Sequence, residues 1–144
     1  LRGRKYDYIV LDAFGGDYIP EHLLTREFLG EVKTIMAVDG VLVANTFSTS
    51  RFYDHESVTY QDVFNEFFNF KLPTSGNRII ITQLSSLPPR GELVTRAQNA
   101  ADRLKKYGVP LLEYPARLST RVDWDMSRRV LTDQYSPANL LRDN

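Results

Sequence analysis

The chain has 144 residues, hydrophobic and charged fractions of 42% and 25%, and a formal net charge of zero; that length suits one domain over residues 1–144, and the charge gives no bulk attraction to nucleic acid or an anionic membrane. The absence of cysteine excludes disulfides, thiolate metal sites and a cysteine nucleophile, and suits a cytoplasmic protein. No apolar run approaches the ~20 residues of a membrane span, and no signal peptide is visible.

The first element is the most informative. Tyr8, Ile9, Val10 and Leu11 form an apolar, β-branched run that predicts a strand over Tyr6–Leu11. The run stops abruptly at Asp12. Gly15, Gly16 and Pro20 follow, and then a helical pattern begins. A carboxylate at the tip of such a strand lies where open α/β sheets put their ligands. Gly15-Gly16 is too short to count as a phosphate loop.

Thr25 is the predicted N-cap of a helix over residues 25–37, with Phe28, Leu29, Val32, Ile35 and Met36 on one apolar face. Asp39-Gly40 is predicted to turn the chain into a second strand over residues 41–45. Residues 48–55 read as a polar loop. A second helix is predicted over residues 56–67, with Tyr60, Val63, Phe64 and Phe67 at helical spacing. Strands over residues 69–72 and 78–82 flank the turn Pro73-Thr74-Ser75-Gly76, which predicts an antiparallel hairpin. The third helix, over residues 92–107, is the best marked. Leu93, Ala97, Ala100 and Leu104 form its seam, Lys105 and Lys106 favour its C-terminus, Gly108 caps it and Pro110 stops it. A short strand is predicted over residues 111–114, then a charged segment around Trp124. This order argues for an open α/β sheet, with strands one and two parallel and buried on both faces and the hairpin at one edge.

Several residues carry a plain structural reading. His22 and His55 have no partner at metal-ligand spacing, so no metal site is expected. The aromatics of residues 60–70 fit a core better than a base-stacking platform. Arg117, Arg121, Arg128 and Arg129 lie among Asp123, Asp125 and Asp133 and read as a salt-bridged surface.

Five segments together carry a family resemblance: YDYIVLDAF (6–14), IPEHLLTREFL (19–29), DGVLVANT (39–46), KLPTSGNRIIIT (71–82) and LTDQYSPANLL (131–141). They resemble the C-terminal half of the spermidine synthase-like aminopropyltransferases, which have the Rossmann-like fold of AdoMet-dependent methyltransferases. The likeness implies that these strands are the fourth to seventh of a seven-stranded sheet. The Gly-rich loop and the acid that grips the nucleoside ribose would then precede residue 1. Two positions depart from the family pattern. Gly15 stands at the fourth position of its Asp-Ser/Thr-x-Asp-Pro motif, and the tyrosine of its hairpin turn is absent.

The resemblance implies aminopropyl transfer from decarboxylated AdoMet to putrescine or a related amine. Alternatives on the same fold are an AdoMet-dependent methyltransferase and a non-catalytic assembly or regulatory domain. No tightly bound cofactor is implied, since the nucleoside is a co-substrate. Asp12 takes the acid–base role, with bracing the loop or capping the next helix as its alternative. Asp17 is a second substrate carboxylate or a solvated loop residue, and Asn45 binds substrate or caps the next turn. Pro20 and Leu24 match positions lining the adenine side, with core packing as their alternative. A strand Tyr6–Leu11 without its inner neighbour would associate through that edge, as a homo-oligomer or with a companion fragment.

Overall fold

The computed structural model describes residues 3–13 and 19–135. The calls on Gly15, Gly16 and Asp17, and on the tail from residue 136, lie outside the described residues.

The strands are β1 (Tyr6–Leu11), β2 (Met36–Phe47), β3 (Phe68–Lys71), β4 (Asn77–Gln83) and β5 (Leu118–Ser119). The helices are α1 (Arg26–Ile35), α2 (Tyr53–Phe64), α3 (Arg90–Lys105) and the single turn α4 (Tyr114–Arg117). The sheet order is β1-β2-β4-β3-β5. β1 and β2 run parallel, and every other pairing is antiparallel. The hairpin therefore exists, but it is not a simple edge. β4 inserts between β2 and β3, and β5 extends the sheet beyond β3.

Thr25 caps α1 as its position predicts, its hydroxyl accepting from the Phe28 amide at 3.3 Å. Leu29 and Val32 are buried beneath it. The helix ends two residues early, because the chain turns extended at Met36 and enters β2 directly. Asp39-Gly40 is thus no turn between elements. It lies inside β2, where the β1 register is irregular between Tyr6 and Tyr8. A Cβ on Gly40 would meet the Tyr6 carbonyl oxygen at 2.7 Å, so this close approach of backbones requires glycine.

One face of the sheet holds the core. Leu42 and Ala44 of β2 and Ile80 of β4 meet Leu29, Val32, Tyr60, Val63, Phe64 and Phe67. Trp124 closes this core, stacked on Phe67 with ring centroids 5.1 Å apart. The charged stretch around it is therefore anchored by a buried aromatic. Its arginines pair locally, Arg128 with Asp125 and Arg117 with Glu113, while Asp123 pairs with Lys71. On the opposite face α3 and α4 stand over β3 and β4, around an apolar cavity of about 470 Å³ that includes Phe70, Ile79, Leu93 and Tyr114.

Two expectations need correction. Residues 111–114 form no strand. Leu111–Glu113 is a 3-10 turn that leads into α4, with Pro115 near its start. Pro110 and Pro115 bracket the segment, and proline cannot donate into a strand ladder but fits the first turn of a helix. β1, moreover, is not buried on both faces. Tyr8 and Val10 are 78% and 67% exposed, and no described strand pairs with its outer edge.

Candidate functional site

The parallel register pairs Leu11 with Ala44. One step further, Asp12 and Asn45 stand side by side at the carboxyl ends of β1 and β2. Asn45 Nδ2 donates to Asp12 Oδ1 at 3.0 Å. The structure thus brings together two residues that lie 33 positions apart in the chain. The amide is used on one side only, because Asn45 Oδ1 is buried without a hydrogen-bond partner.

Both residues line a pocket of about 310 Å³. Leu11, Ala44, Thr46 and Tyr60 contribute from the sheet and α2. Ile19, Leu23, Leu24 and Phe28 form an apolar wall opposite. Leu24 is 6% exposed, so it serves the core and the pocket wall together. Pro20 stands outside this lining and starts the 3-10 turn Glu21–Leu23 that carries Leu23, its carbonyl accepting from the Leu23 amide at 2.9 Å.

Behind Thr46 lies a polar cluster that the sequence reading missed. Arg78 of β4 is the cross-strand partner of Thr46 and is wholly buried. Its Nη1 faces Glu56 Oε2 at 3.4 Å, and its Nε donates to Asn69 Oδ1 at 3.0 Å. Its guanidinium lies over the Tyr53 ring, 4.2 Å from the centroid. Tyr53 and Asn69 in turn reach Asp123, which bonds Lys71 at 2.7 Å. The Thr46 hydroxyl stands close enough to Glu56 to favour its ionised form, yet neither makes a hydrogen bond of ordinary geometry to the other.

Burial pushes the Glu56 carboxyl up to about 7, and the Arg78 charge only partly offsets this. The Tyr60 phenol, one turn further along α2, is also pushed up by burial and by the Glu56 charge. Thr46 Oγ1, Glu56 Oε1 and Arg78 Nη2 are all buried without a partner, and each such group costs about 1–3 kcal/mol.

A sequence signal for Glu56 exists. It shares one helix face with Tyr60, Val63 and Phe64, at i, i+4, i+7 and i+8. The helix was expected over residues 56–67, with Glu56 as its first residue. The helix starts at Tyr53 instead, and Glu56, in its first turn, is 3% exposed.

His55 and His22 hold no metal cluster. His55 Nδ1 lies 2.7 Å from the Arg129 carbonyl, and no group of three metal-ligating side chains occurs among the described residues. No described helix is long and apolar enough to cross a membrane.

No family model matches the chain. Its sequence is 55% identical over 143 residues to a polyamine aminopropyltransferase from Vibrio vulnificus (strain CMCP6), covering 99% of this chain and 48% of that protein. The chain thus spans about half the length of the curated relative it matches. Its fold is similar to that of human methyltransferase-like protein 13 in complex with SAH, with a TM-score of 0.59, 21% identity, and 95% of this chain and 56% of that one covered. It is also similar to a probable spermidine synthase from Corynebacterium glutamicum ATCC 13032, with a TM-score of 0.55, 20% identity, and 89% and 52% covered. At such identities the structural likeness speaks for the fold alone. The chain is accordingly similar in sequence to about half of a polyamine aminopropyltransferase, and its fold is the α/β fold seen in AdoMet-dependent methyltransferases.

Proposed function

We propose that this chain supplies the amine-binding side of an aminopropyltransferase, which moves an aminopropyl group from decarboxylated AdoMet to putrescine or a related amine. The observation that carries this reading is the Asp12–Asn45 pair. A carboxylate and the amide that bonds it stand at the tips of two parallel strands, and both residues line a pocket. A carboxylate at that point fits an N–H donor that carries positive charge.

The chemistry asks for such a pair. A primary alkylamine has a pKa near ~10, like lysine, and must lose its proton to become a nucleophile. A carboxylate beside it can align it and accept that proton. In this reading Asp12 does so, and Asn45 Oδ1 fixes the direction of the nitrogen lone pair. The Asn45 amide, by donating to Asp12, holds the carboxylate in place. The apolar wall of Leu23, Leu24 and Phe28 has the chemistry for the adenine side of the co-substrate, and Pro20 braces the turn that carries it. Asp17 would add a second carboxylate toward a polycation. The likeness to a methyltransferase bears on the fold, whereas the 55% identity is to an aminopropyltransferase. We place the work in the cytoplasm, which a cysteine-free chain suits.

The test is Asp12→Asn in the complete polypeptide. It removes the proton acceptor and keeps the shape, so kcat falls at least ~100-fold, the low end for a general acid–base group. The fold should persist, because Asp12 is exposed. Near-normal turnover in that variant removes Asp12 from the reaction.

A further inference from the structure

Residues 122–135 form no helix or strand beyond one Thr132–Tyr135 bridge. Their course is set by α2 instead. Tyr53 donates to Asp123 at 2.6 Å, Asp54 accepts from the Asp125 amide at 3.2 Å, and His55 Nδ1 stands 2.7 Å from the Arg129 carbonyl oxygen. Leu131 then enters the core and is 0% exposed. Its amide donates to the Thr59 hydroxyl at 2.9 Å, and that hydroxyl donates onward to the His55 carbonyl at 2.6 Å. The Leu131 carbonyl accepts from the Arg26 amide, also at 2.9 Å. Arg26 opens α1, and the first amides of a helix have no partner within it. Leu131 therefore supplies from outside what α1 lacks at its start, and joins that start to α2. Close by, the Asp133 amide donates to Glu27 Oε2 at 3.1 Å.

The start of α1 is also a wall of the crevice. Leu24 precedes the Thr25 cap and Phe28 lies in the first turn, and both line the pocket with Asp12 and Asn45. Phe28 lines a second hollow as well, together with Thr25, Glu27 and Asp133. The segment thus touches the elements that carry the wall and none of the residues proposed to meet the amine. We propose that residues 122–135 are a strap that sets the nucleoside wall of the crevice, with Thr59 and Leu131 as positioning residues that act through Leu24 and Phe28. This rests on the reading of that wall as the adenine side. A loosened strap leaves the sheet and the Asp12–Asn45 pair in place, but frees the α1 start to drift with the two side chains it carries. Nucleoside affinity is the property that then falls.

The experiment is a calorimetric titration of the complete polypeptide with 5′-methylthioadenosine, the nucleoside that aminopropyl transfer releases. Thr59→Val keeps the shape of the side chain and leaves the Leu131 amide buried without an acceptor, whereas Thr59→Ser keeps the hydroxyl. The expected affinity falls about 5-fold or more in Thr59→Val, the low end for coupling between sites, and returns in Thr59→Ser. Hydrogen exchange of the Arg26, Phe28 and Leu29 amides quickens in Thr59→Val, while that of the Ile80 amide holds. Glu27 is exposed, so Glu27→Ala releases the Asp133 amide without disturbing the core. It produces the same changes to a smaller degree, and decides the matter where Thr59→Val fails to fold. Variants that only melt at lower temperature, with nucleoside affinity and α1 exchange unmoved, overturn the strap and leave the reading of the wall intact. An unsubstituted polypeptide that binds no methylthioadenosine overturns the reading of the wall and this inference with it.

Discussion

At the scale of single residues, the buried Glu56–Arg78 pair is the chain's clearest electrostatic commitment. A buried pair recovers its desolvation cost only with close geometry and full hydrogen bonding. Here the contact is 3.4 Å, and an atom on each partner is unsatisfied. The pH consequence has a definite sign. The carboxyl titrates near 7 in the native state, against an ordinary 4.5. Between those values the native protein holds a proton that the unfolded chain has released, so stability falls as pH rises through the window and levels off above it. Glu56→Gln cannot titrate, so its urea midpoint should vary less between pH 5 and pH 8 than that of the unsubstituted chain. Identical profiles for the two proteins would place the titration elsewhere. The place of Asp12 at a strand tip was legible in the sequence, because the apolar run of Tyr6–Leu11 stops at it. Glu56 was not, because an acid in the first turn of a helix ordinarily faces water, and only the packing of α2 against β4 shows it buried beside Arg78.

At the scale of elements, β1 explains both what could be read and what could not. The hydrophobic pattern of Tyr6–Leu11 fixes a strand but says nothing of what lies on either side. Only the topology shows that β2 alone pairs with it among the described residues. Its free edge, with Tyr8 78% and Val10 67% exposed, is a template for another strand. We expect the isolated chain at ~100 µM to sediment as a dimer or larger species paired through this edge, since long, flat apolar edges seek partners. A monomer that keeps strong hydrogen-exchange protection along β1 would show that the edge is covered another way. Elsewhere the strong local signals held: the Thr25 cap, the strand over residues 78–82, and Gly108, which adopts a φ of 71° just past α3. Residues 111–114 misled because a short apolar run carries no period long enough to separate strand from helix, and the flanking prolines decided it. Asp39-Gly40 misled because its glycine serves the close approach of β1 and β2, not a turn.

At the scale of the whole molecule, the parts point one way. The carboxyl ends of the parallel strands gather Asp12, Asn45 and Thr46 at one crevice. The antiparallel β4 brings Arg78 behind it, and α2 delivers Tyr60 to the crevice wall and Glu56 to Arg78. An apolar side formed by Leu23, Leu24 and Phe28 completes the cleft. In the reading proposed above, that arrangement would serve a cationic, aliphatic ligand beside a nucleoside, as an aminopropyl transfer requires. The most direct measurement is product analysis by mass spectrometry, with the complete polypeptide given putrescine and, in separate reactions, decarboxylated AdoMet or AdoMet. The account predicts that decarboxylated AdoMet yields a new secondary amine longer by one aminopropyl group, with methylthioadenosine released in equal amount. Methylated amine from AdoMet, or no turnover of either donor, would contradict it.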